Sequence, residues 1–268
     1  NQLNKKIMKK ISLLIVLFTI AISCKKDKKN TEIKDKTKAV TEITIEKLTN
    51  SPSYSEVVLQ LKEPSSTKNI KNGAVDFQFE VANYELGAQT DSPNASILAN
   101  SGKGQHIHFI LNNQPYSAHY TPNFTKELPS GVHHLVAFLS RSYHESVKNE
   151  KSVVFKKFEV GENPKDTIGI DANAPTLIYS RPKGTYKGKD TDALLLDFFV
   201  LNTSLSENGN KVKATINGKE FIITEWAPQV IKGLPKGEII IELELIDADG
   251  NFIDGPFNKV KRKVTLKD

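Results

Sequence analysis

Apolar residues fall at every second position in several short stretches of this chain. Val75-Asp-Phe-Gln-Phe-Glu-Val81 alternates in this way, as do Lys211-Val-Lys-Ala-Thr-Ile216 and the end of the run Ile239–Leu245. A period of two, carried by Val, Ile, Phe and Leu and bounded by turn residues, predicts β-strands with one buried face. No stretch keeps a helical period over three turns.

The pattern repeats along the chain. Val75–Val81 lines up with Leu195-Leu-Asp-Phe-Phe-Val200. Gly104-Gln-His-Ile-His-Phe-Ile-Leu-Asn-Asn-Gln-Pro-Tyr116 lines up with Gly209-Asn-Lys-Val-Lys-Ala-Thr-Ile-Asn-Gly-Lys-Glu-Phe221. Leu128-Pro-Ser-Gly131 lines up with Leu234-Pro-Lys-Gly237. The order is kept and the offset is nearly constant, so the chain reads as two copies of one unit. Each copy holds about seven short strands, which predicts an all-β protein of two tandem immunoglobulin-like or fibronectin-III-like sandwiches. A jelly roll is the rival fold. The expected organisation is a signal peptide over 1–23, a lipidated cysteine and tether over 24–38, and a first, His-rich sandwich over 39–162. A linker over 163–174 and a second sandwich over 175–268 complete it.

The second copy helps to interpret the first. Asn217-Gly218 is a type I′ hairpin signal, and Asn112-Asn113 occupies the same place. A two-residue turn there puts Leu111 opposite Gln114, Phe109 opposite Tyr116 and His106 opposite His119. In the second copy Lys211 and Lys213 avoid the core, so Val212, Ala214 and Ile216 point inward. Carried across, Ile107, Phe109 and Leu111 point in, while His106, His108 and His119 point out. By the same parity His133, Leu135, Ala137 and Leu139 point in, and His134, Val136 and Phe138 point out. The outer face is partly apolar (Ile110, Val136, Phe138), so something is expected to cover it.

All six histidines lie between 106 and 144. The expected topology gathers His106, His108, His119 and His144 at one end of one sheet. Imidazole suits Zn²⁺, Cu²⁺ and Ni²⁺, which makes these four a candidate metal site. Copper(I) is disfavoured, because Cys and Met ligands are absent from the mature chain. His133 reads as a satisfied core histidine. A second candidate is an anion site at the loop Ser140-Arg-Ser-Tyr-His-Glu-Ser146, where Arg141, Ser142 and Tyr143 supply donors. Asp247-Ala-Asp-Gly-Asn251 lacks the spacing of a calcium loop and predicts a tight turn. Catalytic signatures such as a Gly-x-Ser-x-Gly elbow or His-Glu-x-x-His are missing, so no catalytic residue is assigned. A structural or adhesive protein and a metal-dependent enzyme are the alternatives to a binding module.

Composition adds a location. The one methionine, Met8, is the expected start of translation. Lys9-Lys10, an apolar run over Ile11–Ile22 and Ser23-Cys24 make a secretory signal. Ala21-Ile-Ser-Cys24 resembles the lipobox of bacterial lipoproteins, with Ala21 where Leu is usual. The resemblance implies cleavage before Cys24 and acylation of it. Lipidation also explains an unpaired single cysteine in an exported chain. The chain holds 37 Lys and Arg against 31 Asp and Glu, but residues 1–29 contain eight of those lysines and one acid. The remainder is nearly neutral, which argues against nucleic acid as a partner. Lys25, not Asp, follows Cys24, which favours the outer over the inner membrane.

The lipobox, Gln105-His-Ile-His108, Leu128-Pro-Ser-Gly131, Ser140–Ser146 and Ser180-Arg-Pro-Lys-Gly184 together resemble a group of bacterial lipoproteins with two immunoglobulin-like repeats, of the kind labelled phosphopeptide-binding. The resemblance covers most of the mature chain and implies a phosphorylated or otherwise anionic ligand.

Overall fold

A computed structural model describes residues 42–268. The signal peptide, Cys24 and the tether lie outside the described residues. No helix among the described residues is long and apolar enough to cross a membrane.

The protein is all-β. After β1 (Thr44–Lys47), the first sandwich comprises β2 (Val58–Glu63), β3 (Gly73–Ala82), β4 (His106–Leu111), β5 (Ser117–His119), β6 (Asn123–Leu128), β7 (Gly131–Ser140) and β8 (Val153–Val160). The second comprises β9 (Thr176–Arg181), β10 (Gly184–Lys187), β11 (Leu194–Leu201), β12 (Lys211–Ile216), β13 (Lys219–Ile223), β14 (Gln229–Lys232), β15 (Gly237–Ile246) and β16 (Lys259–Lys267). In the first, sheet β2-β3-β6 faces sheet β5-β4-β7-β8. In the second, β9-β11-β14 faces β13-β12-β15-β16, with β10 parallel to β16 at the edge. Three strands facing four in this order is the fibronectin-III-like arrangement in both copies. The strands also keep the offset of the repeat: β4 and β12 start 105 residues apart, β7 and β15 start 106 apart.

Alternation produces the cores. Val75, Phe77 and Phe79 of β3 meet Ile107 and Phe109 of β4 and Leu135, Ala137 and Leu139 of β7. In the second sandwich Val212, Ala214 and Ile216 meet Ile239, Ile241, Leu243 and Leu245. These are the inward sets that the polar positions predict.

Four strands, β4, β7, β9 and β11, are buried along nearly their whole length. Both of their faces are covered, because the two sandwiches pack face to face. The outer face of β4 and β7 (Ile110, Val136, Phe138) meets Ile178 of β9 and Phe199 of β11. Phe138 stacks on Phe199 with ring centroids 5.1 Å apart. The expected cover of this face is therefore the second sandwich itself. Each such buried side chain contributes about 1.5–3 kcal/mol, so exposing the face is costly. An ion pair also crosses the junction, from the partly buried Lys148 to the fully buried Asp197, and Ser146 Oγ donates to the same carboxylate at 3.1 Å.

One expectation changes. Residues 44–47, assigned by sequence to the first sandwich, pair as β1 with β14 of the second. An edge strand with free donors and acceptors accepts any extended segment that reaches it, whatever that segment's neighbours in sequence. The linker, 163–174, has no strand or helix, yet it is tied down. Asp166 accepts hydrogen bonds from His134 Nε2 at 3.0 Å and from the backbone of Gly169 at 2.8 Å. His134 and neighbouring backbone groups hold the Asp166 carboxyl well below the usual range, against the cost of its partial desolvation. At Asp247–Asn251 the backbone forms a tight turn, with Asp247 accepting from Asp249 and Asn251.

Candidate metal centre

The site starts from the parity of β4. Ile107 and Phe109 enter the first core, which sends His106 and His108 to the other side. That side is the junction between sandwiches, so both imidazoles are fully buried. His106 pairs with Ser140 in the β4–β7 register. The chain leaves β7 at Ser140 and turns at once, with His144 N donating to Arg141 O at 2.9 Å. His144 takes a left-handed backbone (φ 71°), which returns its ring to the start of β4.

Three histidines converge. His106 Nε2 lies 2.9 Å from His108 Nε2 and 3.1 Å from His144 Nδ1. The three ligand atoms all lie within 4.8 Å of one another. Tetrahedral zinc with bonds of about 2.0–2.1 Å separates its ligand nitrogens by roughly 3.3 Å, so two contacts are already near that value. His106 Nδ1 is 2.8 Å from Gly104 O, and a carbonyl only accepts. The hydrogen is therefore assigned to Nδ1, leaving the Nε2 lone pair aimed at the cluster. His108 Nδ1 contacts Ser180 Oγ of the second sandwich at 3.2 Å. Tyr116 stacks on the His108 ring at 3.5 Å, and its hydroxyl lies 3.2 Å from His144 Nδ1.

Burial is the main reason these imidazoles stay neutral. It lowers the His106 pKa to about 4, helped by the charges of Arg181 and Lys183. It holds His108 and His144 far below the usual imidazole range. Neutral imidazole is the form that ligates metal.

His119, expected as a fourth member, is elsewhere. The observed register places Ile107, not His106, opposite His119. The Asn112-Asn113 turn closes as expected, with Gln114 N donating to Leu111 O at 2.9 Å. One extra residue then enters the second arm around Pro115, which has no N–H for the ladder. A shift of one residue reverses every face. His119 accordingly stacks on Phe124 at 3.4 Å, and Tyr116 takes the place beside His108. In the second copy Glu220 stands in place of Pro115 and the register is regular from Ile216↔Lys219 to Val212↔Ile223.

The donors expected to bind an anion at Arg141, Ser142 and Tyr143 have internal partners. Arg141 pairs with Glu145 at 3.0 Å and donates to Pro52 O at 2.6 Å. Ser142 N donates to Thr90 Oγ1, and Tyr143 Oη donates to Ser51. Segments around 51 and 90 cover this loop, so it is buried rather than a free tip. His133 is a satisfied histidine, bonded to Pro129 O at 2.8 Å and near Asn112 at 3.1 Å.

Sequence reasoning missed the contribution of the second sandwich: Ser180, Arg181 and Lys183. Ser180-Arg-Pro-Lys-Gly184 was a visible signal, two cations flanking a proline at the end of a strand.

No protein-family model matches this chain, and no curated protein is significantly similar to it. Among solved structures, fibronectin(III)-like modules of Clostridium thermocellum CbhA align over 78% of this chain and 94% of theirs, at 13% identity and a TM-score of 0.28. Tandem V-type regions of the chitin-binding protein VCBP3 align over 79% and 99%, at 8% and 0.22. SGBP-B from the Bacteroides ovatus mixed-linkage glucan utilization locus aligns over 78% and 47%, at 14% and 0.23. At these scores the likenesses bear on no ligand.

Proposed function

We propose that this protein is a lipid-anchored, non-catalytic binding module of the cell envelope, held in the outer membrane through Cys24. Its ligand at His106, His108 and His144 is a divalent transition metal, Zn²⁺ or Cu²⁺. The observation that carries this reading is the convergence of three imidazoles at the junction between the sandwiches, one of them oriented by the Gly104 carbonyl. Three protein ligands leave one tetrahedral position open, as at zinc sites that take a further ligand.

Titration calorimetry with ZnCl₂ on the full chain in detergent is expected to give about one equivalent. The double variant His106→Ala/His108→Ala is expected to give none. Equal heats from both, or none from either, overturn the metal reading, and a purely adhesive module gives none. Labelled palmitate should enter the wild type and not Cys24→Ser; equal labelling overturns the anchor.

A further inference from the structure

Beside the three histidines the second sandwich places two cations. The β9–β11 register shifts between Asp197 and Phe198, and Arg181 comes opposite Asp197, whose face is the junction. Ser180 reaches the same junction, where it meets His108. Arg181 is almost completely buried. Its Nη1 donates to Tyr186 Oη at 2.9 Å, and its Nε has no hydrogen-bond partner among the described residues. Lys183 Nζ donates to Tyr116 O at 2.7 Å and sits 3.9 Å over the Tyr116 ring, on the residue that also stacks on His108.

None of the ion pairs among the described residues includes Arg181 or Lys183. The nearest acidic register partner, Asp197, directs its oxygens to Lys148 and Ser146. A guanidinium is always charged, and burying it without a counter-charge is strongly unfavourable. The cost is removed when an anion binds. A divalent ion at the histidines would add two more positive charges to this junction, which makes the same demand more strongly.

We propose that Arg181 and Lys183 form an oxoanion subsite, whose carboxylate or phosphate ligand also fills the open position of a metal held by His106, His108 and His144. The co-ligand role rests on the metal reading; the subsite stands without it. Arg181 offers a planar fork that matches either oxoanion, and Lys183 offers a point charge. Metal and anion then bind with positive, reciprocal coupling.

The full chain in detergent is titrated in two arms. In EDTA, inorganic phosphate is expected to raise the melting temperature of the wild type. The rise should disappear in Arg181→Met and shrink in Lys183→Met. With ZnCl₂, saturating acetate is expected to tighten zinc binding at least tenfold. Arg181→Met should bind zinc more tightly than wild type in the absence of acetate and should not respond to it, a gain that a structural role for Arg181 does not produce. Lys183 is only half-buried, so its variant keeps the test decisive if Arg181→Met fails to fold. Zinc binding with no response to acetate, and no phosphate effect in EDTA, overturns the subsite and leaves the metal reading standing. A phosphate effect without zinc binding does the reverse. Failure in both arms overturns both.

Discussion

Two register pairs hold the same place in the two sandwiches and have opposite chemistry. In the first, His108 faces Phe138; in the second, Lys213 faces Glu244. Each pair lies on the outer face of the same two strands. Lys213 forms an ion pair with Glu244 at 2.5 Å, and the half-exposed Lys259 joins the same carboxylate. His108 and Phe138 are completely buried under β9 and β11. The strand pattern determines which side a residue takes, and the neighbour determines what that side tolerates. Lysine keeps its charge and needs water or a carboxylate. Imidazole can shed its proton, so it survives where β9 covers it. The histidines and the covering sheet are thus one feature.

The largest test of this contrast is truncation of the paired residues. Phe138→Ala removes a fully buried ring stacked on Phe199 and is expected to cost about 3–5 kcal/mol. Glu244→Ala removes two ion pairs but leaves behind only lysines that reach solvent, Lys213 at 28% and Lys259 at 53% exposure, and is expected to cost about 1 kcal/mol or less. Denaturant midpoints of the two variants measure the difference. Equal losses would mean that the junction contributes no more than a surface ion pair.

A smaller effect sharpens the same point for charges. Asp197 is fully buried and its partner Lys148 is 13% exposed, whereas Lys213 is 28% exposed. Asp197→Asn leaves the ammonium without a counter-charge in the junction and is expected to cost about 2–3 kcal/mol. Lys213→Ala leaves Glu244 paired with Lys259 and is expected to cost under about 1 kcal/mol. The same denaturation series reads both, and a loss at Lys213 equal to that at Asp197 breaks the contrast.

The faces of β4, β7, β12 and β15 were legible in the sequence, because lysines and glutamates cannot enter a core and the repeat transfers that constraint onto the histidines. The covered patch at Ile110, Val136 and Phe138 was legible for the same reason. Its cover was not, since nothing local in β9 or β11 announces which of two apolar faces meets a second domain. The placement of His119 depended on one residue near Pro115, and a count of turn residues does not reveal a bulge. Arg141 looked like a free donor because the segments that cover it lie some 50 to 90 residues earlier in the chain. Arg181 was visible as a residue but not as a partner, since its position depends on a bulge and on how two sandwiches dock.

The hairpin turn gives the smallest and most local comparison. Asn112 and Asn217 play one role: Oδ1 accepts from His134 N at 2.9 Å in the first copy and from Ile240 N at 2.8 Å in the second. The next position differs. Asn113 sits at φ 56° and Gly218 at φ 85°, both in the left-handed region. Glycine adopts this region without steric cost, and Asn–Gly is the favoured type I′ pair. Asn113 also buries an Oδ1 that finds no partner among the described residues. Asn113→Gly is therefore expected to stabilise the protein by about 0.5–1 kcal/mol. The reverse change, Gly218→Asn, meets open space around the new Cβ, so it costs only the conformational part. Its expected loss is under about 1 kcal/mol. Thermal melts of the two single variants, shifting in opposite directions, would show that the turns are equivalent and that the extra residue around Pro115 alone separates the two hairpins. No gain from Asn113→Gly would instead place the difference in the turn itself, held in its geometry by the bulge that follows it.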